Sequence, residues 1–523
     1  MALANFRMAG GAPKEPGVAT AWPGAALAAV LPFGLIFAWS AVVRLPFYGI
    51  ADGDEFFFSV VAGEWLHGGL PYVDAFDIKP PGIFLIYAIA QSVFGASYAV
   101  FKGLEMVAVA AGASLLFVML RPYGSGRLAL WAATLYPVYT LAFGGTAAIA
   151  MLLQLPFVIA GFAAVIEATA NDVALRRRLT CAFLAGLLIG SAGMIKQTAV
   201  FEATAAFLLL GVYGEQAARL RLLALFVVGA ALPMLAFSAY FLAAGHFHDL
   251  FQAVIVLAMR RVDPSVIAGY GPRFSWYLTL PGGLVNSILR SSVVIFLWGG
   301  AIFTLFRLQR VAAIVPLRLL VVAAAWLAFA LASAAYGRLL CDYYLLGIVP
   351  PLLILAGAFF SYGMRTAPAR RNVTIWALIV VAGAALLWAQ HRELFGFDGW
   401  RVDRILTAKA VDAFHKLGLK ADDRLLVLNR GLELFTATGA RPASPYFHTT
   451  HLMSAFQTPS SDPLGDALGA HPRFIVLADP SVTHGFELPD RLKRAQDYLA
   501  AHYRPAGVVR GAWDSFAIYE FVS

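Results

Sequence analysis

The chain has 523 residues, 60% of them hydrophobic and only 13% charged, with a mean hydropathy of +0.74. A soluble domain carries roughly a quarter charged residues, so water is not the principal solvent of this protein. The formal charge of +9 does not mark a nucleic-acid partner, because Lys and Arg fall in short clusters between apolar windows instead of covering one face.

In chain order, the first apolar run, Ala25 to Val43, follows Arg7 and Lys14. It is too long for the core of a typical secretory signal and reads as an uncleaved first span with a cytoplasmic amino terminus. About eleven windows are long enough to cross roughly 30 Å of hydrocarbon. Their centres are near Phe33, Val109, Leu135, Phe157, Leu188, Phe207, Leu232, Phe296, Trp326, Leu352 and Val380. The runs around Leu188 and Phe207 are short and are split at Lys196.

With the amino terminus inside, alternate connections carry Arg121 with Arg127, Arg176 to Arg178, Arg219 with Arg221, Arg307 with Arg310, and Arg365 with Arg370 and Arg371. These clusters obey the positive-inside rule. The long connections Arg44 to Ser97 and Gly245 to Arg290 then face outward, and an odd number of spans sends the carboxy terminus outside. The expected location is a bacterial inner membrane, with the carboxy-terminal region periplasmic. Cys181 and Cys341 fall near opposite membrane surfaces in this topology, so a disulfide between them is not expected.

Two apolar stretches do not fit the count. Pro80 to Phe94 opens with two prolines and ends at Gly95, and counting it as a span would invert every later loop. It is expected to lie in the interface, as is Glu55 to Leu66, with Phe56, Phe57, Val60 and Val61 on one side. From about His391 the chain becomes charged and capped. Strand patterns appear at Arg424 to Leu428, Phe474 to Leu477 and Phe516 to Phe521, with helical patterns at Val411 to Leu417 and Arg491 to Ala501. The expected fold is an α-helical polytopic membrane domain over residues 1–389 and a small extracytoplasmic α/β domain over 390–523. The latter has no glycine-rich phosphate fingerprint, so a nucleotide site there is unsupported.

The first outward loop reads ADGDEFFFSVVAGEWLHGGLPYVDAFDIKPPG and gathers Asp52, Asp54, Glu55, Glu64, Asp74, Asp77 and Lys79. Carboxylates beside phenylalanines at a membrane surface are costly unless partnered. Together with GSAGMIKQ and GRLLCDYYLLGIVPPL, the Asp54–Glu55 pair and GLPYVDAFDIKPPG resemble glycosyltransferase family 39 and its relatives. These are GT-C enzymes that include protein O-mannosyltransferases and the lipid A aminoarabinose transferase. The resemblance runs from about Asp52 to Pro351 and extends weakly to DRLLVLNRGLELFTATGARPASPY.

The resemblance implies an inverting transfer of a monosaccharide from a polyprenyl phosphate to a cell-envelope acceptor: lipid A, lipopolysaccharide core, another glycan or a protein. Asp54 then matches the base that takes the acceptor proton, and Glu55 its structural neighbour. One carboxylate suffices chemically, because a phosphate leaving group needs no protonating acid. The departing phosphate gains charge, so nearby cations favour the transition state. Lys79 and Lys196 are the first candidates. Lys196 lies in an apolar stretch at the expected outer end of a span, where an unpaired charge costs a few kcal/mol; a snorkelling lysine is the plainer alternative. Arg338, Tyr343 and Tyr344 are further candidates to hold phosphate or sugar, although interfacial tyrosines are commonly anchors. Arg260 and Arg261 are cationic on the outward side, against the topological trend, which suits an anionic ligand or a simple balance by Asp263.

The sequence departs from the family at Asp342, where relatives often have histidine, and between Gly144 and Gln154, where many carry another acid. No obligatory metal or other cofactor is expected. His246, His248 and Asp249, and the pair His448 and His451, lack the partners a zinc site would need. A transporter or flippase of a lipid-linked sugar is the competing reading. Such proteins usually show internal repeats, and no convincing repeat relates the halves.

Overall fold

The computed structural model describes residues 23–49, 51–123, 126–170, 173–260, 292–336, 342–365, 404–421, 423–454, 456–479, 488–511 and 514–522. The amino-terminal part is helical: α1 Pro23–Arg44, α2 Gly53–Leu66, α3 Pro81–Phe94, α4 Tyr98–Leu120, α5 Arg127–Ala142, α6 Ala150–Ala168, α7 Leu175–Ile195, α8 Val200–Tyr213 and α9 Arg219–Ala243. Beyond a short helix, Phe247–Phe251, and a π-helical turn, Gln252–Leu257, follow α10 Ser292–Phe306, α11 Leu317–Tyr336 and α12 Val349–Arg365.

Among the described residues, seven helices are long and apolar enough to cross a membrane, and Pro81–Phe94, Gln197–Tyr213 and Leu297–Phe306 are shorter apolar helices. Ten of the eleven expected window centres fall on helices. The eleventh, Val380, lies outside the described residues.

Small residues let the helices approach closely. Gly186 and Gly190 on α7 face Phe226 and Ala230 on α9, and Gly229 faces Phe183; a Cβ on any of these glycines would overlap the opposite backbone. Without water to drive association, such backbone contact is a main source of helix attraction. Elsewhere large rings fill the space, as where Phe162 of α6 stacks on Trp326 of α11 at 4.2 Å. The arginine-bearing turns share one end of the bundle: Arg178 pairs with Glu215 at 2.8 Å, and Arg318 donates to the Thr169 carbonyl.

The opposite end carries the carboxy-terminal unit. Its elements are α13 Arg404–Lys416, β1 Arg424–Leu428, α14 Glu433–Thr438, β2 Arg441–Pro442, α15 Thr449–Met453, α16 Pro463–Gly469, β3 Phe474–Ala478, α17 Pro489–His502, β4 Tyr503–Arg510 and β5 Ser515–Phe521. The sheet order is β2-β1-β3-β5-β4. β1 lies parallel to β2 and β3, with Leu425 opposite Phe474, whereas β5 runs antiparallel to β3 and β4. β4 was not foreseen. It is an edge strand with an exposed, irregular pattern through Pro505 and Gly507, so it lacks the alternation that reveals a half-buried strand.

This unit packs on α2 and the loop after it. Arg441 makes a two-bond ion pair with the buried Glu64, and the Phe76 amide donates to the Pro445 carbonyl over 3.0 Å. Phe57 meets Phe447 at 5.1 Å and His448 at 4.7 Å. One detail of the expectation is corrected: α2 has no single apolar side, since every residue from Glu55 to Ala62 is buried. Helical periodicity was weak there because α2 is covered both by the bundle and by the carboxy-terminal unit. α3 does keep an outer face, with Leu85, Ile89, Val93 and Phe94 exposed.

Candidate active site

The site is built where α2 begins. Asp52 is the N-cap of α2 and accepts from the Asp54 amide over 2.9 Å, while Glu55 reaches back to the Asp52 amide over 3.2 Å. This reciprocal capping box satisfies two amides that a helix start leaves open. The second oxygen of Glu55 accepts from the Ala148 amide over 2.8 Å and lies 4.0 Å from the Lys102 ammonium. Glu55 is completely buried, so it is a tie between α2 and the α5–α6 turn. Asp54, between them, is partly exposed, and among the described residues its carboxylate makes no hydrogen bond or ion pair. Of the adjacent acids, Asp54 is the one open to a ligand.

Burial, and secondarily the charge of Asp54, push the Asp52 carboxyl up to about 7. Burial likewise pushes Glu55 up to about 7, against the pull of Lys102 and the Ala148 amide. Lys79 also acts on Asp52, which places that lysine within electrostatic reach of the acid segment.

Lys79 sits 5.1 Å above the Phe58 ring of α2 and 4.0 Å from Asp77, and its carbonyl accepts from the Tyr72 hydroxyl over 2.8 Å. Lys196 is buried at the C-cap of α7, where the helix dipole favours a cation. Its ammonium lies 3.9 Å from the Tyr344 ring centre and 5.7 Å from that of Tyr343. The two lysine segments are joined: Gln197 donates to the Ile78 carbonyl over 2.6 Å and to Val254 over 3.2 Å. Gly82, at the start of α3, lies so close to Met194 that a Cβ would sit 2.5 Å from the Met194 carbonyl oxygen.

Several charged residues escaped the sequence reading. Lys102 and Glu105 of α4 pair at 3.0 Å, and Glu105 also pairs with Arg44 at the end of α1; all three are buried. Lys102 donates to the Thr146 carbonyl, and Arg44 to the Gly145 carbonyl and, over 2.7 Å, to the Thr140 hydroxyl. The turn that lacks the expected family acid is thus gripped through its backbone by charges from elsewhere. The available signal was a Lys and a Glu three apart inside an apolar window. Glu202, buried in the first turn of α8 and within electrostatic reach of Lys196, was likewise overlooked.

No family model matches the sequence, and no curated protein matches it. The solved structure of ArnT from Cupriavidus metallidurans bound to undecaprenyl phosphate superposes with a TM-score of 0.63, at 13% identity, over 94% of this chain and 98% of that one. The fold is GT-C. The apo form of the same ArnT gives 0.60 at 14% identity with the same coverage. The archaeal oligosaccharyltransferase AglB from Archaeoglobus fulgidus, in complex with an inhibitory peptide and a dolichol-phosphate, gives 0.52 at 11% identity over 85% of this chain and 69% of that one.

Within this fold, the remaining candidates separate. Tyr343 and Tyr344 join Lys196, as just described. Arg260 is exposed at the end of the helix that follows the π-helical turn, and among the described residues it meets none of the other candidates. Arg261 and Arg338 lie outside the described residues. His246 pairs with Asp249 at 2.8 Å, His448 caps α15, and His451 packs among Phe57, Phe76 and Phe456. Among the described residues no group of three or more His, Cys, Asp or Glu side chains converges on a metal-sized site.

Proposed function

We propose that this chain is a membrane glycosyltransferase that moves a monosaccharide from a polyprenyl phosphate to a hydroxyl or phosphate of an envelope acceptor on the periplasmic side of a bacterial inner membrane. The observation that carries the reading is the division of labour at the start of α2: Glu55 is consumed by structural bonds, and the adjacent Asp54 is left open, with Lys79 within electrostatic reach of Asp52 at the same turn. A single available carboxylate at the acceptor side is what an inverting displacement with a phosphate leaving group requires.

Asp54 takes the acceptor proton as the acceptor oxygen attacks the anomeric carbon. The bond to the carrier phosphate breaks, and Lys79 and Lys196 balance the charge that phosphate gains. The join between residues 77–82 and 194–197 supports placing both lysines on one wall. The Tyr343 and Tyr344 rings hold the Lys196 ammonium in place and offer faces for an isoprenoid or a sugar. Arg260, Arg261 and Arg338 remain candidates, by residue type, to bind the anionic donor. The proposed division is a catalytic membrane domain over residues 1–389 and a smaller domain over 390–523, whose described part packs on α2.

Mass spectrometry of envelope lipids and glycans from cells with and without the gene tests the reading. Loss of one sugar from one envelope component, with accumulation of its polyprenyl-linked form, is the expected result. Disappearance of several unrelated glycans that share a carrier sugar would instead favour a lipid-linked sugar transporter.

A further inference from the structure

We propose that Lys102 is a positioning residue for the transfer reaction, acting on Asp54 through Glu55 and the backbone of the 145–148 turn. The inference rests on Asp54 as the base and adds a residue that touches neither donor nor acceptor.

Lys102 is buried at the top of α4 and has three bonded or charged neighbours: Glu105 at 3.0 Å, Glu55 at 4.0 Å and the Thr146 carbonyl. The face of Tyr98 lies under the ammonium at 5.5 Å. Glu55 in turn binds Ala148 and the Asp52 amide, which fixes the first turn of α2 and hence Asp54. Lys102 therefore holds both sides of one joint, the α5–α6 turn by its backbone and α2 by its capping acid.

The charge count gives the lysine a second effect. Asp52, Asp54 and Glu55 on α2 and Glu105 on α4 are four acids within one network. Facing them are Lys102, Arg44 of α1, which is taken up by Glu105, Gly145 and Thr140, and Lys79 from the loop; Tyr87 of α3 and Tyr98 of α4 are the neighbouring hydroxyls. Lys102 is the cation shared between Glu105 and the acid segment. Its removal leaves Asp52 and Glu55 with a stronger hold on protons, so the capping box that positions Asp54 is lost at a higher pH.

The test is the pH profile of transfer by the full-length protein in nanodiscs. A lipid extract from cells lacking the gene supplies donor and acceptor, and undecaprenyl phosphate is the probe for carrier binding. For Lys102→Met the acidic limb moves up by about one pH unit, the size expected for losing a cation within a few ångströms. Lys102→Arg keeps the limb within a few tenths of a unit of wild type. Affinity for undecaprenyl phosphate stays within about twofold in both, because the lysine serves the acid side of the site. Glu105→Gln removes an anion from the same network and moves the limb down. That variant carries the test alone if Lys102→Met does not assemble. A folded Lys102→Met or Glu105→Gln protein with a wild-type acidic limb overturns the inference. Wild-type transfer by Asp54→Asn would overturn the underlying assignment instead.

Discussion

The side-chain amide of Gln197 and the carbonyl of Ile78 are joined by a 2.6 Å hydrogen bond across 119 residues of sequence. It fastens the segment carrying Lys79 to the break after α7 that carries Lys196. Replacing Gln197 by Leu removes this bond and leaves the buried Ile78 carbonyl short of a donor. The expected outcome is a fall of about tenfold in affinity for undecaprenyl phosphate with the fold intact, read by native mass spectrometry or thermal-shift titration.

Lys196→Met should act on the carrier more strongly. A hydrogen bond to a charged group is worth roughly 1.5–3 kcal/mol, which corresponds to a loss of about ten- to a hundredfold in affinity for the phosphate. The same titration with undecaprenyl phosphate checks it. Binding equal to wild type would remove Lys196 from the donor site and leave it a structural charge at the end of α7.

Arg441→Ala tests how the carboxy-terminal unit is held. Glu64 is buried beneath Arg441 on α2, so truncation strands a carboxylate away from water. Breaking a buried pair from one side costs about 3–5 kcal/mol. The expected effects are a lower melting temperature and faster proteolytic release of the region beyond residue 404, both measurable on the purified protein.

The carboxy-terminal unit also contains a pH-sensitive acid. Burial, together with Asp514, pushes Glu433 up to about 7, against the pull of Arg430 and Thr407. Its folded pKa is raised above the unfolded value of 4.5, so folding favours the protonated form. The stability this gives is complete below about pH 4.5 and is lost as pH rises through about 7. Glu433→Gln mimics the protonated acid. It should stabilise the protein at pH 8 by on the order of 1–2 kcal/mol, allowing for screening on its partly exposed side, and leave it nearly unchanged at pH 5. Paired melting curves at the two pH values decide this.

The helices were legible where one physical cause acts alone. Apolar windows such as Tyr98–Leu120 and Ala150–Ala168 declare themselves by length, and β1 and β3 by short runs of buried branched residues. The site was legible only in part. Asp54, Lys79 and Lys196 stand out as charges where charge is expensive. The partner of Glu55 is a backbone amide 93 residues away, and no residue type announces that. Lys102, Glu105 and Arg44 were hidden because each reads as an exception within a span, and their mutual neutralisation exists only once α1, α4 and the α5–α6 turn meet. α2 was misjudged because its second cover, the 434–451 region, comes almost four hundred residues later.

The most direct measurement is the rate of sugar transfer by Asp54→Asn in membranes, alongside undecaprenyl phosphate binding by the same variant. Transfer should fall at least about a hundredfold while carrier binding and expression persist, since the substitution removes a proton acceptor and leaves the lysines in place. An Asp54→Asn protein that transfers at the wild-type rate would contradict the account.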